Sequence, residues 1–276
     1  MIRDDLLRLA FVGLHPDRIR SLLAEHESAE RLVYAIESGS VDVGQAMDTL
    51  AECRQRVADL AIHFDIADEA PWAASLIHVE DPPLWLFREG SLDRSRRVAI
   101  VGTRHCTEYG RRLAFRLAAA CAEAGWVVVS GLARGIDGAA HRGTLAAAGT
   151  TIAVLGCGSD IPYPRQHIGL RSQIVEGGGA VVTEYPPGAA PLAWRFPPRN
   201  RIISGLSTAV VVVESAATGG SLSTAARAVV QGRTVFAVPG DIDRPASVGC
   251  NLLIRDGAVP VLGAEDLVEG LSLVGG

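Results

Sequence analysis

From Arg97 onward the chain repeats one pattern: a short β-branched run, a glycine-rich turn, then a stretch of helical periodicity. The runs are RVAIVG, WVVVSG, TTIAVLG, GAVVTE, TAVVVVE and RTVFAVPG, and the stretches between them include RRLAFRLAAACAEAG, DGAAHRGTLAAAG and LSTAARAVVQG. Runs that are apolar at successive positions belong to strands buried on both faces. Strands alternating with helices imply a parallel sheet covered by helices on either side. The expected fold is therefore α/β, a Rossmann-like, doubly wound and mostly parallel sheet.

The first quarter of the chain reads differently. Across residues 2–66, LLRLAF, DRIRSLLAEH, AERLVYAI and GQAMDTLAECRQRVADLAIHF carry apolar residues three and four apart, punctuated by Gly13, Pro16, Gly39 and Gly44. This predicts a small all-helical domain over residues 1–70, with the sheet domain occupying 71–276. Asp81-Pro82-Pro83 and then Leu84-Trp85-Leu86-Phe87 read as a connector ending in a short strand. Val12-Gly13-Leu14-His15-Pro16 hints at a helix-hairpin-helix turn, but His15 occupies the place of the second glycine. An ordinary interhelical turn is the preferred reading.

Charge is unevenly placed. Residues 1–95 hold 18 acids against 9 arginines, whereas 96–276 hold 13 acids against 17 arginines. A basic region attached to an acidic one fits a local anion-binding face. The sequence contains no lysine, which excludes lysine-dependent P-loop or Schiff-base chemistry. Apolar runs stay far below the roughly 20 residues of a membrane helix, and the first residues, MIRDDLLRLAF, do not form a secretory signal. A soluble, cytoplasmic protein is expected. The five cysteines are scattered, with no CxxC pair to suggest zinc or a disulfide framework.

In doubly wound sheets ligands bind outside the carboxyl ends of the strands, and five loops there carry candidate chemistry. Gly102-Thr103-Arg104 opens a helix through Thr107, suiting phosphate; the competing reading is that Thr107 only caps the helix and Arg104 points to solvent. Ser130–Asp137 contains Arg134 and Gly135; Asp137 and His141 share a helix face, with helix capping and a bond to a loop carbonyl as the preferred roles. Gly156–Asp160 with Tyr163-Pro164 borders the same region. Phe196-Pro197-Pro198-Arg199-Asn200-Arg201 sets two arginines at a helix start beside an aromatic ring, the means to hold a phosphate backbone and stack a base. Gly219-Gly220-Ser221 forms a neutral anion nest, and Glu214 at the preceding strand end is expected to fasten loop backbone.

Taken together these loops resemble the DprA/Smf family. VAIVGTR, TEYG, SGLARGIDGAAH, TIAVLGCG, FPPRNRIISGLS, VVVVESA, GGSLSTA, VFAVPG and LIRDGA occur in order between about Asp81 and Ala258. The resemblance implies an extended Rossmann domain that binds single-stranded DNA, dimerises, and helps load the RecA recombinase during natural transformation. It implies phosphate contacts for Gly102, Thr103, Arg104, Arg134, Gly135, Gly219, Gly220 and Ser221. Strand contacts are implied for Phe196, Arg199, Asn200 and Arg201. No catalytic residue, cofactor or metal is implied. Many members continue into a winged-helix-like domain whereas this chain stops at Gly276, so a short or a cut member is expected.

The rival reading is a nucleotide-processing enzyme of the phosphoribohydrolase-like Rossmann type, which uses PGGxGT followed by a glutamate. Thr218-Gly219-Gly220-Ser221-Leu222 imitates it only in part, and Thr224-Ala225-Ala226-Arg227 lacks the glutamate. A dinucleotide oxidoreductase would need GxGxxG after the first strand, where this chain has GTRHCT.

Overall fold

The computed structural model describes residues 2–67, 69–70, 72–76, 79–92 and 95–274. Its strands are β1 (His63–Ile66), β2 (Trp85–Gly90), β3 (Arg97–Val101), β4 (Val127–Ser130), β5 (Thr151–Val154), β6 (Ala180–Thr183), β7 (Ala209–Val212), β8 (Thr234–Ala237) and β9 (Val259–Pro260). Among the described residues they form one sheet in the order β1-β2-β6-β5-β4-β3-β7-β8-β9. The chain builds outward from β3 through β4, β5 and β6, then returns to the other side of β3 with β7. Every pairing from β6 across to β9 is parallel, while β1 and β2 extend the edge antiparallel. The sheet is thus doubly wound, with its switch point between β3 and β7.

The strand runs are apolar throughout because alternate residues enter different helix layers. Ala99, Val101, Val210 and Val212 face a layer built by α9 (Phe196–Gly205), α10 (Gly220–Val230) and α11 (Val248–Arg255), supplying Ile202, Leu206, Ala225 and Cys250. Val98, Ile100, Ala209 and Val211 face α6 (Glu108–Glu123), α7 (Ile136–Ala146) and α12 (Ala264–Val274), through Leu117, Ala140 and Leu271. A smaller cluster seats α8 (Ile168–Glu176) on Ala153 and Val181. Burial pushes the thiols of Cys121 and Cys250 up to about 12, leaving them unreactive packing groups.

The N-terminal helices are α1 (Ile2–Phe11), α2 (Pro16–His26), α3 (Ala29–Glu37) and α4 (Leu50–Asp59), with a short α5 (Ala73–Leu76) further on. One expectation needs correction here: the last helical stretch is shorter than its periodicity suggests. It starts only at a capping box, in which the Thr49 hydroxyl accepts from the Glu52 amide and Glu52 accepts from the Thr49 amide. It ends before Ala61, whose φ of 51° breaks the helix. His63–Ile66 then alternates between exposed and buried positions and pairs with Arg88–Trp85 as β1.

Leu9, Ile19, Leu32, Ile36 and Cys53 of the helices close over Phe64, Trp85 and Phe87, so β1 and β2 serve both the sheet and the helical core. Pro71, at the expected boundary between 1–70 and 71–276, lies outside the described residues, as do Met1, Gly275 and Gly276. Among the described residues no helix is long and apolar enough to cross a membrane, and no group of side chains suits a metal ion.

Candidate nucleic-acid interface

An open cleft of about 570 Å³ lies at the carboxyl ends of β3 and β7, where the sheet reverses direction. Gly102, Thr103 and Arg104 line one wall; Phe196, Arg199 and Asn200 line a second; Gly219, Gly220 and Ser221 line a third. Nine of the twelve residues singled out from sequence therefore converge on one hollow. Arg134 borders a smaller adjoining pocket together with Arg104, Tyr163 and Phe196. Gly135 joins the first two loops. Its φ is +75°, and a Cβ there would stand 2.3 Å from the Thr103 carbonyl oxygen. Only glycine permits that approach.

Helix N-termini face this region from several elements, and they differ. At α6 the Thr107 hydroxyl accepts from the Gly110 amide at 3.0 Å, while the Thr107 amide donates to the Glu214 carboxylate at 2.8 Å. Thr107 Oγ1 also donates to Glu214, and the Thr103 amide donates to the Glu214 carbonyl at 2.8 Å. Glu214 thus fastens the β3 loop, and an internal carboxylate already occupies that helix start. The α10 N-terminus is open. Gly219 is its N-cap without a side-chain hydrogen bond, and no acidic residue stands in its first turn. The Ser221 hydroxyl is committed to Ser215 Oγ at 2.9 Å, leaving amides as the available donors. An uncapped N-terminus of this kind is a ready anion site.

The α9 N-terminus works otherwise. Pro197 and Pro198 stand in its first turn and lack N–H groups, so they fix the helix start without offering donors. Its contribution comes from side chains. The Phe196 ring is half-buried. It packs on Gly156, where a Cβ would come within 2.9 Å, and on Tyr163, whose centroid is 5.6 Å away. The Arg104 guanidinium lies 5.0 Å from its centroid and that of Arg199 5.8 Å. The cleft thus sets an aromatic ring beside two guanidinium groups, side-chain types that single-strand binding sites combine.

Arg199 is buried, and its hydrogen bonds go to neutral acceptors: the Gly131 carbonyl at 3.0 Å, the Val154 carbonyl and Asn200 Oδ1. Burial draws its pKa down, against the attraction of Asp137. Asp137 is itself occupied by the amides of Gly131 (3.1 Å) and Ala133 (3.4 Å), and burial raises its pKa. Gly131 fits between the two groups; a Cβ there would meet Arg199 Nη2 and Asp137 Oδ2 at 2.7 Å. Asn200 reaches the Gly220 carbonyl at 3.4 Å, tying α9 to the open N-terminus of α10.

Arg201 is placed elsewhere. Fully buried, it makes a bidentate pair with Glu184 (2.7 Å on both nitrogens) and turns Nε to Asp81. It belongs to the wall between sheet and helical bundle. His141, which shares the α7 face of Asp137, meets the Thr151 hydroxyl at 2.7 Å instead of a loop carbonyl; burial lowers its pKa to about 3. The loop carbonyl is taken by His167, a residue sequence reading passed over: its Nδ1 lies 2.9 Å from the Leu132 oxygen. Tyr163 and Pro191, from outside the arginine-bearing segments, complete the cleft.

A sequence profile described as DNA recombination-mediator protein A matches residues 63–272. The chain is 46% identical to Protein Smf of Escherichia coli over 211 residues, 76% of this chain and 56% of that protein. With DNA processing protein DprA of Streptococcus pneumoniae it shares 43% identity over 208 residues, 74% of this chain and 72% of that protein. The match covers 56% of the E. coli protein and 50% of the Mycobacterium tuberculosis putative DNA processing protein DprA, so the chain spans about half the length of these curated relatives. Among solved structures, DprA from S. pneumoniae superposes with a TM-score of 0.80 at 33% identity, covering 98% of each chain. DNA processing protein A from Helicobacter pylori, solved for its single-stranded DNA binding mode, superposes at 0.68 with 27% identity over 76% of this chain and 96% of that one.

Proposed function

The chain belongs to the DNA recombination-mediator protein A family, and from that premise we propose that it binds single-stranded DNA in the cleft between the β3 and β7 loops. The observation that carries this reading is the convergence of an open helix N-terminus (Gly219–Ser221), an exposed guanidinium (Arg104) and a half-buried ring (Phe196). Amides and guanidinium hold phosphate, and the ring stacks a base. Neither contact reads base edges, so sequence preference is slight.

Binding, without turnover, is the role assigned. The nearby carboxylates are committed to the fold: Glu214 is spent on Thr107, and Asp137, which lines the cleft, accepts from the Gly131 and Ala133 amides. The protein then acts as a cytoplasmic mediator of natural transformation and recombination: it covers incoming single strands and delivers them to the RecA recombinase. A homodimer is part of the proposal. Of the late apolar residues, Leu253 and Ile254 pack onto the core, whereas Val259 and Leu262 are exposed and available to a second copy.

The test is a gel-shift titration of single- and double-stranded oligonucleotides at several ionic strengths. The expected result is tighter binding of the single strand, weakening log-linearly with salt. Equal affinity for both forms, or a salt-independent single-strand affinity, overturns the assignment.

A further inference from the structure

Of the four tryptophans, Trp72, Trp85 and Trp126 are buried, at 2%, 7% and 3% exposure, whereas Trp194 keeps 39%. It stands in a single 3₁₀ turn, Ala193–Arg195, that leads directly into α9. This segment forms a rim. Pro191 and Ala193 line the cleft, while Leu192 and Trp194 lie outside it and are exposed.

Over the rim, Trp194 meets the helical domain. Its ring centroid lies 5.3 Å from that of His15 with the planes 35° apart, and 6.1 Å from that of Tyr185, edge-on. His15 belongs to the turn Val12–Pro16 between α1 and α2, which does not reach the cleft. Its ring is fixed as the N-cap of α2, Nδ1 accepting from the Asp17 amide at 3.2 Å. Asp17 is paired in turn with Arg20 at 2.6 Å. The Arg195 guanidinium, 5.0 Å from the Trp194 centroid, donates to the Ala190 carbonyl at 2.7 Å. Three neighbours thus position the indole, and it still presents surface to water.

We propose that a single strand held in the cleft continues over the Pro191–Ala193 rim and stacks a base on Trp194 beside His15. This rests on the cleft reading and extends it to the edge of the helical domain. The patch of Leu192, Trp194 and His15 is too narrow for a protein partner, whose interface takes about 800 Å² per side. One ring suffices to stack a base, and stacking tolerates any sequence.

The test titrates oligothymidylates of increasing length into the full chain and reads tryptophan emission, which a stacked base quenches. Quenching, and shielding of the indole from acrylamide, should set in only beyond the length that fills the cleft. Trp194→Ala should weaken the long oligomers about tenfold, or about 1.4 kcal/mol, and leave the short ones unchanged. A smaller loss, again confined to long oligomers, is expected of His15→Ala. Trp194→Phe keeps a ring and so keeps the test decisive should Trp194→Ala fold poorly: it should bind long oligomers nearly as the parent does, without quenching. Quenching that persists in Trp194→Phe, or a Trp194→Ala loss equal at every length, overturns the proposal. So does quenching that follows protein concentration without DNA, which would assign Trp194 to a second copy. Short oligomers that bind with no length-dependent change overturn it and leave the cleft standing; no binding at any length removes both.

Discussion

Arg199 and Arg201 leave the same helix two residues apart and reach different electrostatic surroundings: Arg199 feels the Asp137 carboxylate without hydrogen-bonding it, whereas Arg201 is paired directly with carboxylates. On the cleft side, Arg199 rests on carbonyls and lies beside the Phe196 ring, with Arg104 exposed nearby. On the bundle side, Arg201 is clamped by Glu184 and Asp81, and Asp81 also holds Arg20 of α2 at 3.1 Å. Charge met by fixed carboxylates is architecture: it joins the sheet to the helices and has nothing left for a ligand. Charge met by carbonyls, rings and amides still attracts phosphate. Sequence proximity says little about which condition a given arginine occupies.

The sharpest way to break this comparison is Arg201→Ala. It would strand the Glu184 carboxylate, itself buried, without its partner, and losing one member of a buried pair typically costs about 3–5 kcal/mol. The expected result is a large fall in unfolding free energy in urea, with single-strand affinity and salt slope of the folded fraction unchanged. A variant of ordinary stability that has lost a salt-dependent contact would move Arg201 back to the DNA-binding side.

Much of this division was legible from sequence, and part of it was overlooked there. The six β-branched runs became β3 to β8 because full burial between two helix layers demands residues that are apolar at every position. The loops met at one cleft because parallel connections return every strand's carboxyl end to the same edge. β1 escaped notice: four residues following a helix give too short an alternation to overrule the helical period, and their partner lies 19 or more residues further on in β2. The separation of Arg199 from Arg201 was available and missed. At 3.6 residues per turn, residues two apart project about 200° from each other, so both cannot line one groove. The Glu184 and Asp81 partners were beyond reach, since only the folded sheet brings them to α9.

Phe196→Ala probes the cleft with a smaller effect. Loss of a stacking ring costs about 1–3 kcal/mol of single-strand binding, read as a shift in titration midpoint. Because the ring is only half-buried, the stability cost should stay well below that of Arg201→Ala, reversing the pattern seen on the bundle side. Unchanged affinity would reduce Phe196 to a plug between Gly156 and Tyr163.

The finest distinction concerns Arg104 and Arg199, which share the Phe196 ring but differ in exposure. Arg104 is exposed, so Arg104→Gln should remove the proposed phosphate contact and disturb little else. Its expected signature is a salt slope flatter by about 0.7, the value for one single-strand phosphate contact, at unchanged unfolding free energy. Arg199→Gln should flatten the slope equally. It should also lower stability, because the carbonyls of Gly131 and Val154 lose their buried donor. Measuring both slopes beside both unfolding curves separates a residue that only contacts the strand from one that also builds the cleft. Equal stability in the two variants would mean that the carbonyl contacts of Arg199 contribute little to the fold, and the contrast along α9 would then rest on Arg201 by itself.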